Sequence, residues 1–184
     1  AGFRVLLTLD KLAPLVQAQQ GTVYQMEHAE TSETTDINPA LVLLAPYAQR
    51  PDQPRRIEMG HGLVGQCAVE KKSILLTDVP ENYTTVHSSL GAASPTNIVV
   101  FPVLFEGQTK AVIELAALAP FTPTHLSFLE QLTQSLGVVL NTIEATMRTE
   151  NLLQQSPQLN LELQTRQTEL PQTNEELASK AKQL

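Results

Sequence analysis

The residue pattern changes near Thr122, and this change constrains the architecture more than any other feature of the sequence. Up to Pro120, short apolar runs alternate with polar turns, as in a compact domain of strands and helices. Farther on, Leu163, Leu170 and Leu177 recur every seven residues in a long helical tract. A lone amphipathic helix cannot bury such a stripe, because it has nothing to pack the leucines against. The tract therefore predicts a homodimer in which helices of two copies pair.

The same change divides the chain into two segments. We expect residues 1–121 to form an α+β domain that begins inside its N-terminal helix, and residues 122–184 to form a long C-terminal helix, the coiled-coil stalk. Thr122 suits a helix N-cap and Pro123 a first helical position, which supports this boundary. A domain joined to an output helix is expected to pass on a signal rather than to turn over a substrate.

Composition excludes several classes of protein. The net charge of −7 argues against a nucleic-acid partner, because neutralising phosphates requires clustered Lys and Arg. The sequence has no run of about 18 apolar residues, and Ala1–Leu12 lacks the basic start of a signal peptide, so we expect a soluble, cytoplasmic fragment without membrane contact. Cys67 is the single cysteine, which excludes an intrachain disulfide, and the four histidines show no metal-ligand spacing. No metal is expected.

Hydrophobic periodicity predicts the elements of the domain. Helical spacing extends from Phe3 to Val16, with Gly21 expected to cap this helix. Pro14 is expected to bend the helix or to mark a break between two shorter helices. A short amphipathic helix is predicted over Leu63–Glu70. The strand candidates are Thr22–Met26, Leu41–Tyr47, Ile57–Met59, Ser73–Thr77, Ile98–Phe105 and Lys110–Ala117. This order predicts about six mostly antiparallel strands flanked by helices.

The connections between these elements carry further predictions. A turn at Glu106–Thr109 joins the last two strand candidates into a hairpin. Pro102 has no N–H to donate and should occupy a sheet edge or a bulge. Glu30–Pro39 is a polar loop, and Asp78–Thr96 is predicted to be long and irregular, as functional or mobile loops often are.

Several blocks of sequence resemble a GAF domain. These blocks are Gly60–Ala68 (GHGLVGQCA), Ile74–Pro80 (ILLTDVP), Val100–Val103 (VFPV) with Gly107, and Ala111–Leu115 (AVIEL). The tail, from Leu140–Ala145 through Thr173–Leu177, is similar to the linker that follows such domains in bacterial sensor histidine kinases, including hybrid ones. The resemblance implies a sheet flanked by helices, a ligand pocket between the sheet and Asp78–Thr96, and dimerisation through terminal helices. GAF pockets hold cyclic nucleotides, tetrapyrroles, haem, small metabolites or nothing known, so the family does not name the ligand.

The resemblance implies a sensory dimerisation domain of a bacterial two-component protein. Such a domain relays a small-molecule or partner signal through its C-terminal helix to a kinase module in the same parent chain. No cofactor is expected, although an unknown small-molecule ligand is possible. The alternative is a purely structural dimerisation module whose pocket is filled by side chains, and cavity volume distinguishes the two. The fragment is not expected to be an enzyme, and one cysteine cannot supply the disulfide exchange of a GAF-type methionine sulfoxide reductase.

Four residues are the candidate ligand contacts. Tyr83 and His87 lie in the long loop that would cover the pocket, although loop residues without a role are commoner. Glu114 interrupts an apolar strand on the face of Val112, where a carboxylate must be paired, protonated or exposed. Asn97 stands at the start of the neighbouring strand. Cys67 lies on the inward face of a short helix, so we interpret it as structural rather than reactive.

The stalk supplies the candidate dimer interface. Its proximal members share one heptad frame, and its distal members share a second frame displaced by three residues. The interface residues are Leu129, Leu132, Leu136, Val139, Ile143, Leu163, Leu170 and Leu177. Pro157 coincides with the change of frame, and Pro171 interrupts the distal ladder. Because proline disfavours a helix interior, we expect a kink, fraying or a restart beyond Pro157.

Overall fold

A computed structural model describes residues 2–27, 39–48 and 52–182 of the chain. The predicted loop Glu30–Pro39 lies outside these residues except for Pro39. In chain order the elements are α1 (Gly2–Leu15), β1 (Gln20–Met26), β2 (Ala40–Tyr47), β3 (Arg56–Glu58), α2 (Gly62–Glu70), β4 (Ile74–Thr77), β5 (Val86–Ser88), β6 (Gly91–Ala93), β7 (Asn97–Phe105), β8 (Gln108–Ala117) and α3 (Pro123–Lys182). The α+β class and both short helices agree with the predictions.

The main sheet has six antiparallel strands in the order β3-β2-β1-β8-β7-β4. The predicted β7–β8 hairpin is confirmed, and its turn uses Glu106 and Gly107, both with positive φ. Pro102 lies beyond the stretch of β7 that pairs with β4, so β7 has only β8 beside it there. This is the edge position that a residue without an N–H requires.

The two faces of the sheet carry different cores. One face packs against α1 and the start of α3, with Leu9, Val16 and Leu129 among its buried residues. The other face packs against α2 through Val64 and Cys67. Strand alternation produces this division, because successive side chains of a strand point to opposite faces.

Helix α3 approaches the sheet closely at Gly137. A Cβ added there would overlap the carbonyl oxygen of Leu104 and lie 2.8 Å from its carbonyl carbon. The chain divides into two compact units, Ala1–Asn141 and Thr142–Leu184. The predicted boundary at Thr122 therefore marks the start of α3, whereas the compact domain continues to Asn141, because Leu129 and Leu140 of this helix are part of its core.

Several local predictions need correction. Gly21 does not cap α1 but lies buried inside β1, and Gln17 instead takes the left-handed conformation after the helix (φ 56°). Pro14 causes no break between two helices, because α1 ends one residue later. Apolar composition suggests that Ser73–Thr77 is a buried strand, but β4 lies at the edge of the sheet and alternates half-buried and exposed residues. The segment Asp78–Thr96 contains the small β5–β6 hairpin.

Helix α3 continues through Pro157 and Pro171, so the helix neither stops nor restarts at either proline. A proline removes only one helical hydrogen bond of its own and often kinks a long helix without ending it. A kink at these positions remains a prediction. Among the helices that the structure describes, none is long and apolar enough to cross a membrane.

Candidate functional site

A cavity of about 250 Å³ lies on the α2 face of the sheet. We call it the β1–β8 cavity, because the side chains of these two central strands form its floor. Its lining also includes residues from the start of α2, from the segment before β3 and from the segment after β4. The cavity therefore lies where the resemblance predicts a ligand pocket, between the sheet and Asp78–Thr96.

The floor of the cavity is polar. Gln20, Thr22 and Tyr24 alternate along β1, so all three side chains reach the same face. Glu114 of β8 is the register partner of Thr22, and both line the cavity. Residues directly opposite in an antiparallel pair have Cβ atoms about 4.5–5.5 Å apart, so the hydroxyl and the half-buried carboxylate are neighbours.

Thr22 carries an unsatisfied hydroxyl. The residue is only 7% exposed, and its Oγ1 has no hydrogen-bond partner within the described part of the protein. A buried polar atom without a partner is uncommon in native proteins and usually indicates a water, an ion or a ligand. The Oγ1 atom is closed to solvent as well, so a molecule in the cavity reaches this hydroxyl only after the Thr22 side chain rotates to another rotamer.

The opposite side of the cavity comes from loops. Tyr83 and Thr84, which follow β4, line it together with His61 and Gly62 at the start of α2. Burial and, secondarily, the negative charge of Glu114 raise the pKa of Tyr83, although its side chain is half exposed. The Tyr24 hydroxyl donates a 2.8 Å hydrogen bond to the carbonyl of Pro54, and both residues line the cavity.

The structure brings together two of the four predicted ligand contacts. Tyr83 and Glu114 both line the cavity, whereas His87 and Asn97 do not. His87 lies exposed in the β5–β6 hairpin. Asn97 precedes Ile98, which does line the cavity, so strand alternation turns Asn97 to the other face, where its Nδ2 donates to Thr96 Oγ1 at 2.8 Å.

Sequence reasoning missed His61 and Thr22. His61 lies just before α2 and lines the cavity, and its Nδ1 lies 3.7 Å from Glu58 Oε2. Thr22 looked like an ordinary strand residue. Thr22 lies beside Glu114 on the same face of the sheet because of the register between β1 and β8. The sequence carries no direct signal of that register.

Cys67 is structural, in agreement with its interpretation from the sequence. The side chain is fully buried and its Sγ donates to the carbonyl of Lys72 at 3.2 Å. Burial, with smaller contributions from the charges of Glu70 and Glu114, raises the pKa of the thiol to about 12. Because the thiolate is the nucleophilic form, a thiol with so high a pKa is unreactive at neutral pH.

The proximal stalk residues have different environments. The predicted interface residue Leu129 is 0% exposed in the core of the first unit, so it has no surface for a partner. Leu132 and Leu136 are partly buried against the same core, whereas Val139 is 51% exposed. Apolar residues at heptad spacing mark a helix face, and that face can pack on a sheet as well as on another helix.

The remaining interface residues lie farther along α3. The side chains of Leu163, Leu170 and Leu177 lie outside the described part of α3, and Ile143 belongs to the second unit. The dimer therefore stays a prediction.

A family model for the GAF domain matches residues 5–141, which is most of the chain and coincides with the compact first unit. The chain belongs to the GAF domain family. GAF domains are sensory and regulatory domains, and they occur in sensor histidine kinases. No curated protein matches this chain significantly.

Solved structures share the fold at low sequence identity. The GAF domain of a phosphoenolpyruvate-protein phosphotransferase from Coxiella burnetii is 18% identical, with 80% of this chain and 86% of that one covered and a TM-score of 0.62. The GAF domain of a two-component sensor histidine kinase from Bacillus halodurans is 19% identical, with 77% and 94% covered and a TM-score of 0.56.

Enzymes are also among the structures that share the fold. Free methionine-R-sulfoxide reductase from Neisseria meningitidis, solved with its substrate, is 21% identical, with 79% and 80% covered and a TM-score of 0.58. At these identities the likeness shows a common fold and no common activity.

Proposed function

We propose that this GAF domain is the sensory dimerisation module of a bacterial two-component protein. In this role it binds a small molecule in the β1–β8 cavity and relays occupancy through α3 to a kinase module of the same parent chain. The observation that carries the proposal is the cavity of about 250 Å³, whose wall includes a buried hydroxyl without a partner in the described residues. A purely structural module needs no such cavity, because its core is most stable when side chains fill it.

Strand β8 supplies a physical connection between the cavity and α3. Its Glu114 lines the cavity, whereas the adjacent Ile113 and Leu115 belong to the core that also contains Leu129 of α3. Interiors are close-packed, so a displacement of β8 changes the surface on which α3 rests. A ligand changes the signalling state only if it binds one packing of α3 more tightly than the other.

The proposal includes a homodimer formed by the stalk. Val139 is exposed in the first unit, one helical turn before Ile143, and the distal leucines recur every seven residues in their own, displaced frame. The module acts in the cytoplasm without membrane contact, and its acidic composition disfavours a nucleic-acid partner.

A role in sensing rather than catalysis agrees with the chemistry of Cys67. Sulfoxide reduction by thiol chemistry requires a second thiol to resolve the oxidised cysteine, and the chain has one cysteine. That cysteine is buried with a pKa of about 12, so it does not form the thiolate that the reaction needs.

Spin labelling tests the relay. The unreactive Cys67 allows selective labelling of a Met147→Cys variant, since Met147 is half exposed on α3. Pulsed electron–electron double resonance then measures the distance between the two labels of a dimer. The measurement is made with and without the small molecules extracted from host-purified protein. We expect these molecules to shift the distance distribution.

A cavity-filling variant is the control. Ala116→Leu adds bulk to the wall of the cavity without changing α3, so it should abolish the shift while the dimer persists. Host-purified protein that retains no ligand in native mass spectrometry and shows one fixed distance would contradict the relay and support the structural alternative.

A further inference from the structure

We infer that the β1–β8 cavity binds a small organic cation, an ammonium- or guanidinium-bearing metabolite with a short apolar body. The inference rests on the proposed function and names the chemical class of its ligand. Its basis is the adjacent placement of a carboxylate and an unpartnered hydroxyl on the polar floor of a cavity whose lining also includes apolar side chains.

The charge of the cavity favours a cation. Glu114 places a carboxylate at the centre of the sheet, half-buried, where low polarity strengthens its field. The negative charge of Glu114 contributes to raising the pKa of Tyr83, which lines the cavity, and of Cys67 in α2. Lys71 and Lys72, two of the described lysines, line a different cleft of about 440 Å³. They therefore place no positive charge in the wall of the β1–β8 cavity.

Hydrogen bonding also favours a ligand with several N–H donors. The Thr22 hydroxyl lies beside Glu114 in the strand register and lacks a partner among the described residues. A single ammonium or guanidinium group donates to a carboxylate oxygen and to a neighbouring hydroxyl oxygen at the same time. An anionic ligand would accept from the hydroxyl but be repelled by the adjacent carboxylate, so a donor group suits both neighbours.

The size and apolar part of the cavity restrict the body of the ligand. The volume of about 250 Å³ lies just below the range of about 300–1,000 Å³ that is typical of small-molecule pockets, so the cavity suits a small ligand. Ile98, Val64 and Ala116 add apolar surface near the carboxylate. This arrangement fits a chain of a few carbons with one cationic end.

A matched series of probes tests the inference. Hexylamine, hexan-1-ol and hexanoate have similar shapes and differ in charge, so any preference among them reports the electrostatics of the cavity. The full chain is titrated with each probe, and chemical shifts of its backbone amides are followed by NMR. We expect hexylamine to perturb amides of β1 and β8 with a dissociation constant on the order of 1 mM, at least about fivefold tighter than hexan-1-ol. Hexanoate should leave these amides unchanged.

Three variants locate the binding groups. Glu114→Gln removes the charge at nearly constant shape and should reduce hexylamine to the affinity of hexan-1-ol. Thr22→Val removes the hydroxyl and should weaken hexylamine several-fold while leaving hexan-1-ol unchanged. Glu70→Gln removes an exposed carboxylate that does not line the cavity, so it should bind hexylamine like the wild type.

The cation inference is wrong if hexan-1-ol or hexanoate binds as tightly as hexylamine, if Glu114→Gln leaves hexylamine unaffected, or if hexylamine perturbs no amide of β1 or β8. The proposed sensory function has a separate test. It survives any of these results if host-purified protein retains a ligand that shifts the spin-label distances, and it fails if no ligand is retained and the distances stay fixed.

Discussion

Replacing Gly137 with alanine tests whether α3 packs on the sheet as the structure shows. Helix propensity alone predicts that Gly137→Ala stabilises the protein by about 1 kcal/mol, because glycine is the poorer helix former. The structure predicts the opposite result. The added methyl would overlap the carbonyl oxygen of Leu104, which belongs to a strand backbone and cannot rotate away as a side chain does.

The magnitude follows from two opposing contributions. Overpacking a well-filled interior typically costs about 1–3 kcal/mol, and overlap with a backbone atom belongs at the upper end of this range. Subtracting the gain in helix propensity of about 1 kcal/mol leaves a net loss of about 2 kcal/mol in the free energy of unfolding. For a domain of this size, the melting temperature should fall by about 6 °C.

Urea denaturation followed by circular dichroism measures this loss. Ser135→Ala is the matched control, because Ser135 is exposed on α3 and its substitution changes helix propensity without a clash. We expect Ser135→Ala to be within about 0.5 kcal/mol of wild type, on the stabilising side. A Gly137→Ala variant that is more stable than wild type would refute the close contact of α3 with Leu104.

Three further predictions concern the thiol and the stalk. Because the pKa of Cys67 is raised to about 12 from an ordinary value of 9.0, the buried thiol stabilises the fold fully below pH 9, and this contribution is lost as pH rises toward 12. The free energy of unfolding should fall by at most about 1.4 kcal/mol per pH unit, and Cys67→Ala should remove this fall. If urea denaturation gives the same dependence on pH for Cys67→Ala as for wild type, Cys67 is not its source. Val139→Glu with Ile143→Glu should give a folded monomer in sedimentation, whereas the exposed neighbour Val138→Glu should remain dimeric; a dimeric double variant would place the interface elsewhere. Replacing Pro157 and Pro171 with Gln should raise helicity and the melting temperature of the stalk, increasingly at higher protein concentration, and circular dichroism without a gain would show that both prolines are accommodated.

The sequence alone determined the class of fold and most of its elements. Apolar patterns identified all six strands of the main sheet to within two residues at each end, and helical spacing identified both short helices, because these patterns are local. The same local pattern placed Glu114 on the face of Val112 and Cys67 on the inward face of α2, and the structure agrees with both.

Alternation also contained information about Asn97 that the sequence prediction did not use. Ile98 and Glu114 face the cavity, and a residue one position before Ile98 must face away from it. Residue type and proximity in sequence suggested a ligand contact, whereas the pleat of the strand decides the direction of the side chain.

Tertiary structure alone decided the remaining features. The heptad frame of the proximal stalk is compatible with a partner helix or with the sheet, and only packing shows that Leu129 belongs to the core of the domain. The neighbouring positions of Thr22 and Glu114 depend on the register between β1 and β8, strands about ninety residues apart in the chain. Register follows from the packing of the whole sheet, so no local pattern shows that the Thr22 hydroxyl is buried in a cavity wall without a partner in the described residues.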